Sequence, residues 1–335
     1  MKGYEVERAA GMPLNANEDW RNLPETLVRK IAAAVTEVAF NRYPDNDATD
    51  LRAAYAVYLG VQPTEVAVGN GSDELLGLMI GLFCGRGTLM TMTPDFSMYD
   101  YYVRFHGGTV EKYDPTTEGM AGFIRRIRKT RPQAAVFSNP NNPTGHLYTR
   151  DEVQALLQAV PDIPIIVDEA YMEFSDESVV DCINRYPNLY VTRTLSKAMG
   201  AAAIRVGAVA SGAENISYLN RLRVPYTVNR MSQAAGVAIL SEQALLQERI
   251  TETIAARDAL RERLAGANFR RLAFTPSGGN FIYGRALAGQ DVAAAFQAAG
   301  YAVRVFPDGG FRITVADAET NERIFEILQM VEEAV

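Results

Sequence analysis

Ile163-Pro-Ile-Ile-Val-Asp-Glu-Ala-Tyr171 is the stretch that decides the fold. A short, wholly apolar run from Ile163 to Val167 is the mark of a strand buried on both faces, as in a parallel sheet covered by helices above and below. Asp168 closes it, and a carboxylate at the end of a buried strand is costly unless paired. It therefore wants a cationic partner, either a structural salt bridge or a protonated ring nitrogen on a ligand.

The same pattern repeats on either side of that strand. Upstream, Glu65–Val68 reads as a strand, and Gly69-Asn-Gly-Ser72 leads into a helix from Asp73 to Phe83. Thr88–Met92, Thr109–Tyr113 and Ala134–Ser138 are further strands. Thr149 and Glu152 form a capping box. They precede Val153, Leu156, Leu157 and Val160, which share one helix face. Downstream, Leu189–Thr192 and Val206–Ala210 continue the series. Alternating strands and helices predict an α/β fold with a mostly parallel central sheet and helices on both sides.

Before this core, a helix is expected from Pro24 to Phe40, a turn at Arg42-Tyr-Pro-Asp-Asn46, and a helix from Asp50 to Leu59. After it, Ser232–Leu264 reads as one helical stretch long enough to bridge two lobes. The remainder predicts a smaller α+β lobe, with strands at Asn280–Tyr283, Ala302–Val305 and Phe311–Val315. Its closing helix buries Ile324, Ile327, Leu328, Val331 and Val335 on one face. Residues 31–245 are expected to form the large domain, and residues 1–30 with 246–335 the small one.

The chain has 335 residues, 48% hydrophobic and 22% charged, ample for a sizeable core and about two domains. A formal charge of −7 disfavours nucleic acid and anionic membranes as partners, since both select a basic face. Met1-Lys-Gly-Tyr-Glu-Val-Glu-Arg8 lacks the apolar core of a signal peptide, and the run Leu75–Cys84 is too short to span a bilayer. The two cysteines, Cys84 and Cys182, read as reduced thiols, so a cytoplasmic protein is expected. With only His106 and His146 beside them, the sequence offers no metal cluster.

In an open parallel sheet, ligands bind beyond the carboxyl ends of the strands, and the unusual polar residues of this chain gather there. In Arg193-Thr-Leu-Ser-Lys-Ala-Met-Gly-Ala-Ala-Ala-Ile-Arg205, Lys197 sits between polar and small residues. It is either a surface lysine or a Schiff-base lysine, because a desolvated amine becomes a nucleophile toward carbonyls. Gly69-Asn-Gly-Ser-Asp-Glu74 is either a turn capped by Ser72 or a phosphate cradle at a helix N-terminus. Asn139-Pro-Asn-Asn-Pro-Thr-Gly145 is a rigid loop whose Asn142 could bond an oxygen on a ligand ring. Arg304 and Arg312, each in an apolar strand, either snorkel to solvent or fork a carboxylate.

Together these motifs resemble the fold-type I pyridoxal-phosphate (PLP) aminotransferases, in particular the histidinol-phosphate aminotransferase-like group. The matching pieces are Leu14–Glu18, Arg42–Asp45, Gly71–Glu74, Pro94–Tyr99, Asn139–Gly145, Asp168–Tyr171, Thr194–Lys197, Arg205–Gly207 and Arg312–Val315. They run in the family's order over nearly the whole chain. The resemblance implies that Lys197 carries the cofactor and becomes the base, and that Asp168 keeps the pyridine nitrogen protonated. It implies that Tyr171 and Asn142 bond the ring hydroxyl and that Phe96 stacks on the ring. Gly71, Ser72, Asp73, Thr194, Ser196 and Arg205 would hold the phosphate. Tyr43 would reach the neighbouring subunit's phosphate, which implies a homodimer with shared sites. Arg312 would clamp the substrate α-carboxylate, with Arg304 and Asn17 also on the substrate.

The reaction implied is transamination between a small amino donor and a 2-oxo acid, with L-histidinol phosphate and 2-oxoglutarate as the expected pair, a step of histidine biosynthesis. Threonine-phosphate decarboxylation and aromatic amino-acid transamination are rivals on the same scaffold. The chain departs from the family at Asp19-Trp20, where Asn-Pro is usual, at Met199–Ile204, and in the short connection from Arg304 to Arg312. A Rossmann-type NAD enzyme is disfavoured because Glu74 takes the place of the third fingerprint glycine. A non-catalytic binding protein would have no need of Lys197.

Overall fold

The computed structural model describes residues 11–287 and 291–334. The N-terminal octapeptide and Val335, on which two of the expectations above rest, lie outside the described residues, as do residues 1–10 of the expected small domain. The chain opens with β1 (Met12–Pro13), α1 (Glu25–Thr36) and α2 (Thr49–Leu59). β2 (Val66–Asn70), α3 (Ser72–Cys84), β3 (Thr88–Met92), α4 (Met98–Phe105) and β4 (Thr109–Tyr113) follow. Next come α5 (Gly119–Thr130), β5 (Ala134–Ser138), α6 (Arg150–Ala159), β6 (Ile165–Asp168), β7 (Leu189–Thr194) and β8 (Val206–Ala210). α7 (Ala213–Leu222), α8 (Arg230–Leu240) and α9 (Gln243–Gly266) lead to β9 (Leu272–Thr275) and β10 (Phe281–Ala286). The chain finishes with α10 (Val292–Ala298), β11 (Tyr301–Ala302), β12 (Arg304–Val305), β13 (Gly310–Thr314) and α11 (Ala318–Glu333).

Seven strands form the central sheet in the order β2-β8-β7-β6-β5-β3-β4. The neighbours from β7 to β4 run parallel, and both faces of the central strands β5, β6 and β7 are buried. Ala135, Phe137, Ile165 and Val167 pack under α5 and α6, while Ala134, Val136 and Ile166 pack under α3 and α4. Such period-two alternation with both sets apolar is what the run ending at Val167 predicted. β8 differs: it lies antiparallel to both β7 and β2. The eleven-residue link from Leu195 to Arg205 is too short for a crossover helix, so the chain must turn back instead. This reversal brings the start of β8, and Arg205, to the edge where the parallel strands end.

Four expected boundaries shift for local reasons. The expected helix to Phe40 stops at Thr36, whose hydroxyl bonds back to the Ala33 carbonyl at 2.7 Å. The stretch Ser232–Leu264 is two helices, parted where the Ser241 hydroxyl takes the Ala238 carbonyl at 2.7 Å. The strand expected over Ala302–Val305 splits, β11 pairing with β1 and β12 with β13. Gly71, not Ser72, is the residue before the first turn of α3, at φ +81°.

A second, four-stranded antiparallel sheet, β12-β13-β10-β9, shares an apolar cluster with α10 and α11. Ile324, Ile327, Leu328 and Val331 are buried in it, along with Leu14 from the N-terminal segment. α9 joins the two clusters, placing Leu246 beside α1 and α2 and Leu260 and Leu264 beneath the small sheet.

Candidate active site

A cavity of about 540 Å³ opens at the carboxyl edge of the central sheet. Asp168, Lys197, Tyr171, Phe96, Asn142, Ser72, Asp73, Thr194, Ser196, Arg205, Arg304 and Arg312 all line it. Of the other expected residues, Gly71 sits directly behind Arg205. Asn17 is fully buried behind Tyr171, donating from Nδ2 to the tyrosine hydroxyl at 3.0 Å. Its neighbours Asn15 and Ala16 face the cavity in its stead. Tyr43 lies away from the cavity, exposed and stacked on Tyr226 with ring centroids 4.8 Å apart.

Sheet register builds the floor. Ser138, Asp168 and Thr192 are partners on adjacent strands, so the three polar side chains end level with each other. The expected cation beside Asp168 is replaced here by hydroxyls. Thr192 Oγ1 donates to Asp168 Oδ1 and the Tyr99 hydroxyl to Oδ2, both at 2.8 Å. Burial pushes the Asp168 carboxyl up to about 6, against the pull of those two donors. A buried acid held only by neutral donors and facing a cavity is electrostatically incomplete, and a cation above it would restore the charged form.

Lys197 stands on the wall, where its Nζ donates to the Ala16 carbonyl at 2.6 Å and lies 5.9 Å from the centre of the Tyr171 ring. Arg312 is buried and donates from Nη2 to the Asn15 carbonyl at 2.5 Å and from Nη1 to Asn142 Oδ1. Because the Asn142 oxygen is taken by Arg312, its amide nitrogen is the end left for a ligand oxygen.

The third corner combines the start of α3 with the β7–β8 turn. Arg205 holds a left-handed backbone, φ +52°, and its guanidinium reaches Ser196 Oγ at 3.4 Å and Asp73 Oδ2 at 3.3 Å. Two glycines permit this close approach. A Cβ on Gly207 would lie 2.2 Å from the Ser72 nitrogen, and one on Gly71 2.6 Å from Arg205 Nη2. The free amides of a helix start, three hydroxyls and a guanidinium suit a phosphate.

An aldehyde, a basic ring nitrogen and a phosphate on one flat molecule would meet the amine, the buried acid and this cradle. The donor set therefore fits pyridoxal phosphate. Fold and site together define a fold-type I PLP enzyme, whose cofactor is pyridoxal 5′-phosphate. The model of the aminotransferase class I and II family matches residues 9–328, and the chain belongs to that family. A histidinol-phosphate aminotransferase of Clostridium novyi is 34% identical over 324 residues, spanning 94% of this chain and 90% of that relative. The solved histidinol-phosphate aminotransferase of Sinorhizobium meliloti in complex with pyridoxal-5′-phosphate superposes with TM-score 0.85 at 25% identity, covering 97% of this chain and 91% of that one. The L-threonine-O-3-phosphate decarboxylase of Porphyromonas gingivalis shares the fold, with TM-score 0.83 at 21% identity over 96% of this chain and the whole of that one (100%).

Sequence reasoning passed over Asp95, Ser138, Tyr99 and Thr192. Asp95 lies three residues past the end of β3, and its place at the ligand-binding edge of the sheet would have marked it. Tyr99 and Thr192 carry no such signal, since only the strand register and the start of α4 bring them to Asp168.

Proposed function

We propose that this protein moves the amino group of L-histidinol phosphate to 2-oxoglutarate. The observation that carries the reading is a single cavity lined by Lys197 and Asp168 together with two arginines, Arg304 and Arg312. Curated relatives of that name, similar along almost the full chain, support the same substrate.

Bound in the cavity, the cofactor supplies an aldehyde that condenses with amines and a ring that accepts the electron pair left when an α-hydrogen departs. Asp168 would face the ring nitrogen and hold its proton there. Ser72, Asp73, Thr194, Ser196 and Arg205, with the Gly71 turn behind them, would seat the phosphate, and Phe96 would cover the ring. Tyr171 and the Asn142 amide nitrogen would hold the ring hydroxyl. Lys197 Nζ would take the proton from the substrate α-carbon and deliver it to the former aldehyde carbon of the cofactor within the same half-reaction, and would carry it the opposite way in the other half. Arg312 would fork the α-carboxylate of the 2-oxo acid or of glutamate, a planar task that suits guanidinium better than ammonium. Arg304 would meet the phosphate of histidinol phosphate. Asn17 would act from behind, keeping the Tyr171 hydroxyl in place.

The same reading makes the protein a cytoplasmic homodimer. Phe40, Tyr43 and Val224 are 73%, 77% and 69% exposed, and the segments carrying them are tied together by the Tyr226 amide on Asn46 and by Arg223 on the Asn46 carbonyl. Exposed apolar side chains gathered on one ridge call for a covering surface. A second copy would provide it and place Tyr43 toward the other site. The large lobe would span residues 31–245, with residues 1–30 and 246–335 in the small one. No described helix is long and apolar enough to cross a membrane.

The test is a set of half-reactions on the PLP-loaded protein. Histidinol phosphate should convert the visible cofactor band, and 2-oxoglutarate should restore it. Conversion by phenylalanine alone, or carbon dioxide release from threonine phosphate, would overturn the substrate. Sedimentation at the mass of one chain would overturn the dimer.

A further inference from the structure

Asp95 is a second carboxylate in the cavity wall, half-buried, and the reaction just described gives it no task. It follows the Thr93-Pro94 link between β3 and α4. Each of its oxygens faces a backbone N–H: Oδ1 accepts from the Phe96 amide at 2.7 Å and Oδ2 from the Ser138 amide at 3.2 Å. The Ser138 hydroxyl also bonds to Oδ1. That hydroxyl in turn accepts from the Asn142 backbone N–H at 2.9 Å, and the Asn142 side-chain oxygen accepts from Arg312 Nη1. A run of polar contacts thus leads from the ring-covering loop, through the end of β5 and across Asn142, to Arg312. Burial pushes the Asp95 carboxyl up to about 8, against the pull of its Ser138 and Phe96 partners.

We propose that Asp95 is a positioning residue which, through Ser138 and Asn142, sets the Arg312 guanidinium in the orientation that forks a substrate carboxylate. The proposal rests on the aminotransferase reading and adds to it how the carboxylate clamp is held before substrate arrives. The chemistry requires a carboxyl group. Asparagine has one accepting oxygen, so in either orientation its NH2 would be driven against the Phe96 or the Ser138 amide. That would push Ser138 off Asn142 and loosen the clamp, in the way that a small misplacement far from the reacting atoms can weaken catalysis.

The experiment uses the PLP-loaded full chain with L-glutamate as probe, reading the half-saturating concentration and the limiting rate separately in single turnover. Asp95→Asn and Ser138→Ala should each raise half-saturation at least about tenfold, the size of a misaligned bidentate contact, with the limiting rate within a few-fold. The double variant should be no worse than the poorer single one, because both break the same chain of contacts. PLP affinity, measured by equilibrium titration, should fall by less than glutamate affinity in Ser138→Ala, because Asn142 is one of several cofactor contacts whereas Arg312 carries the carboxylate. Unchanged glutamate saturation in Ser138→Ala, full additivity, or a loss confined to the limiting rate would each overturn the proposal. If Asp95→Asn fails to fold, Ser138→Ala alone decides. A wild-type protein that binds no PLP would instead sink the aminotransferase reading itself.

Discussion

Asp19→Ala probes the segment that roofs the site. Asp19 and Arg249 form an ion pair at 3.0 Å, with side chains 6% and 7% exposed. The pair presses on the loop after Lys197, since a Cβ on Gly200 would lie 3.3 Å from the Asp19 Cβ and 3.4 Å from Arg249 Nη2. Three and four residues back, the Ala16 and Asn15 carbonyls hold Lys197 and Arg312. Removing one partner of a buried pair costs about 3–5 kcal/mol, because the remaining charge is stranded. Arg249 keeps its bonds to the Asn22 and Arg21 carbonyls at 3.1 and 3.2 Å, which argues for the lower end. At about 2.1 cal/mol/K per residue over 335 residues, the unfolding entropy is about 0.7 kcal/mol/K, so a loss of about 3 kcal/mol lowers Tm by about 4 °C. Scanning calorimetry of the PLP-loaded protein reads that shift, and glutamate saturation in the same samples should weaken as the two carbonyls move. A Tm within 1 °C or so of wild type, a loss of under about 1 kcal/mol on the same scale, would refute the claim that this pair pins the segment.

Lys197→Ala should fold and bind PLP without turning over, and borohydride should no longer fix the cofactor to the chain; a labelled adduct in the variant would remove Lys197 from its role. The ligand-free protein should lose stability with rising pH relative to Asp168→Asn. Burial raises the Asp168 carboxyl from 3.8 to about 6, so the folded chain holds a proton that the unfolded chain has released, and stability falls as pH climbs through that window and levels above it. A wild-type Tm that climbs relative to Asp168→Asn between pH 5 and 7 would contradict the burial argument. Gly207→Ala should cost about 1–3 kcal/mol or more and weaken PLP binding, since its Cβ would lie 2.2 Å from the Ser72 nitrogen. Unchanged PLP titration in that variant would show that the α3 start and the β8 start are not pressed together.

Much of the site was legible because local rules mark it. An apolar run ended by Asp168, a lysine among small residues and glycines before a helix each breaks the expected pattern at a strand end, and strand ends are where an open sheet binds ligands. By itself, the sequence determined the strand–helix alternation, the seven strands of the main sheet and the edge on which chemistry would gather, because periodicity and burial cost act over a few neighbouring residues. Tertiary structure alone decided the antiparallel turn of β8 that delivers Arg205, and the register that sets Thr192 and Ser138 beside Asp168. It also decided the fold-back of Asn15 and Ala16 over Lys197 and Arg312. Those contacts join residues up to about three hundred positions apart, such as Arg312 and Asn15 with a separation of 297, and no short-range pattern records a meeting that depends on how whole layers pack.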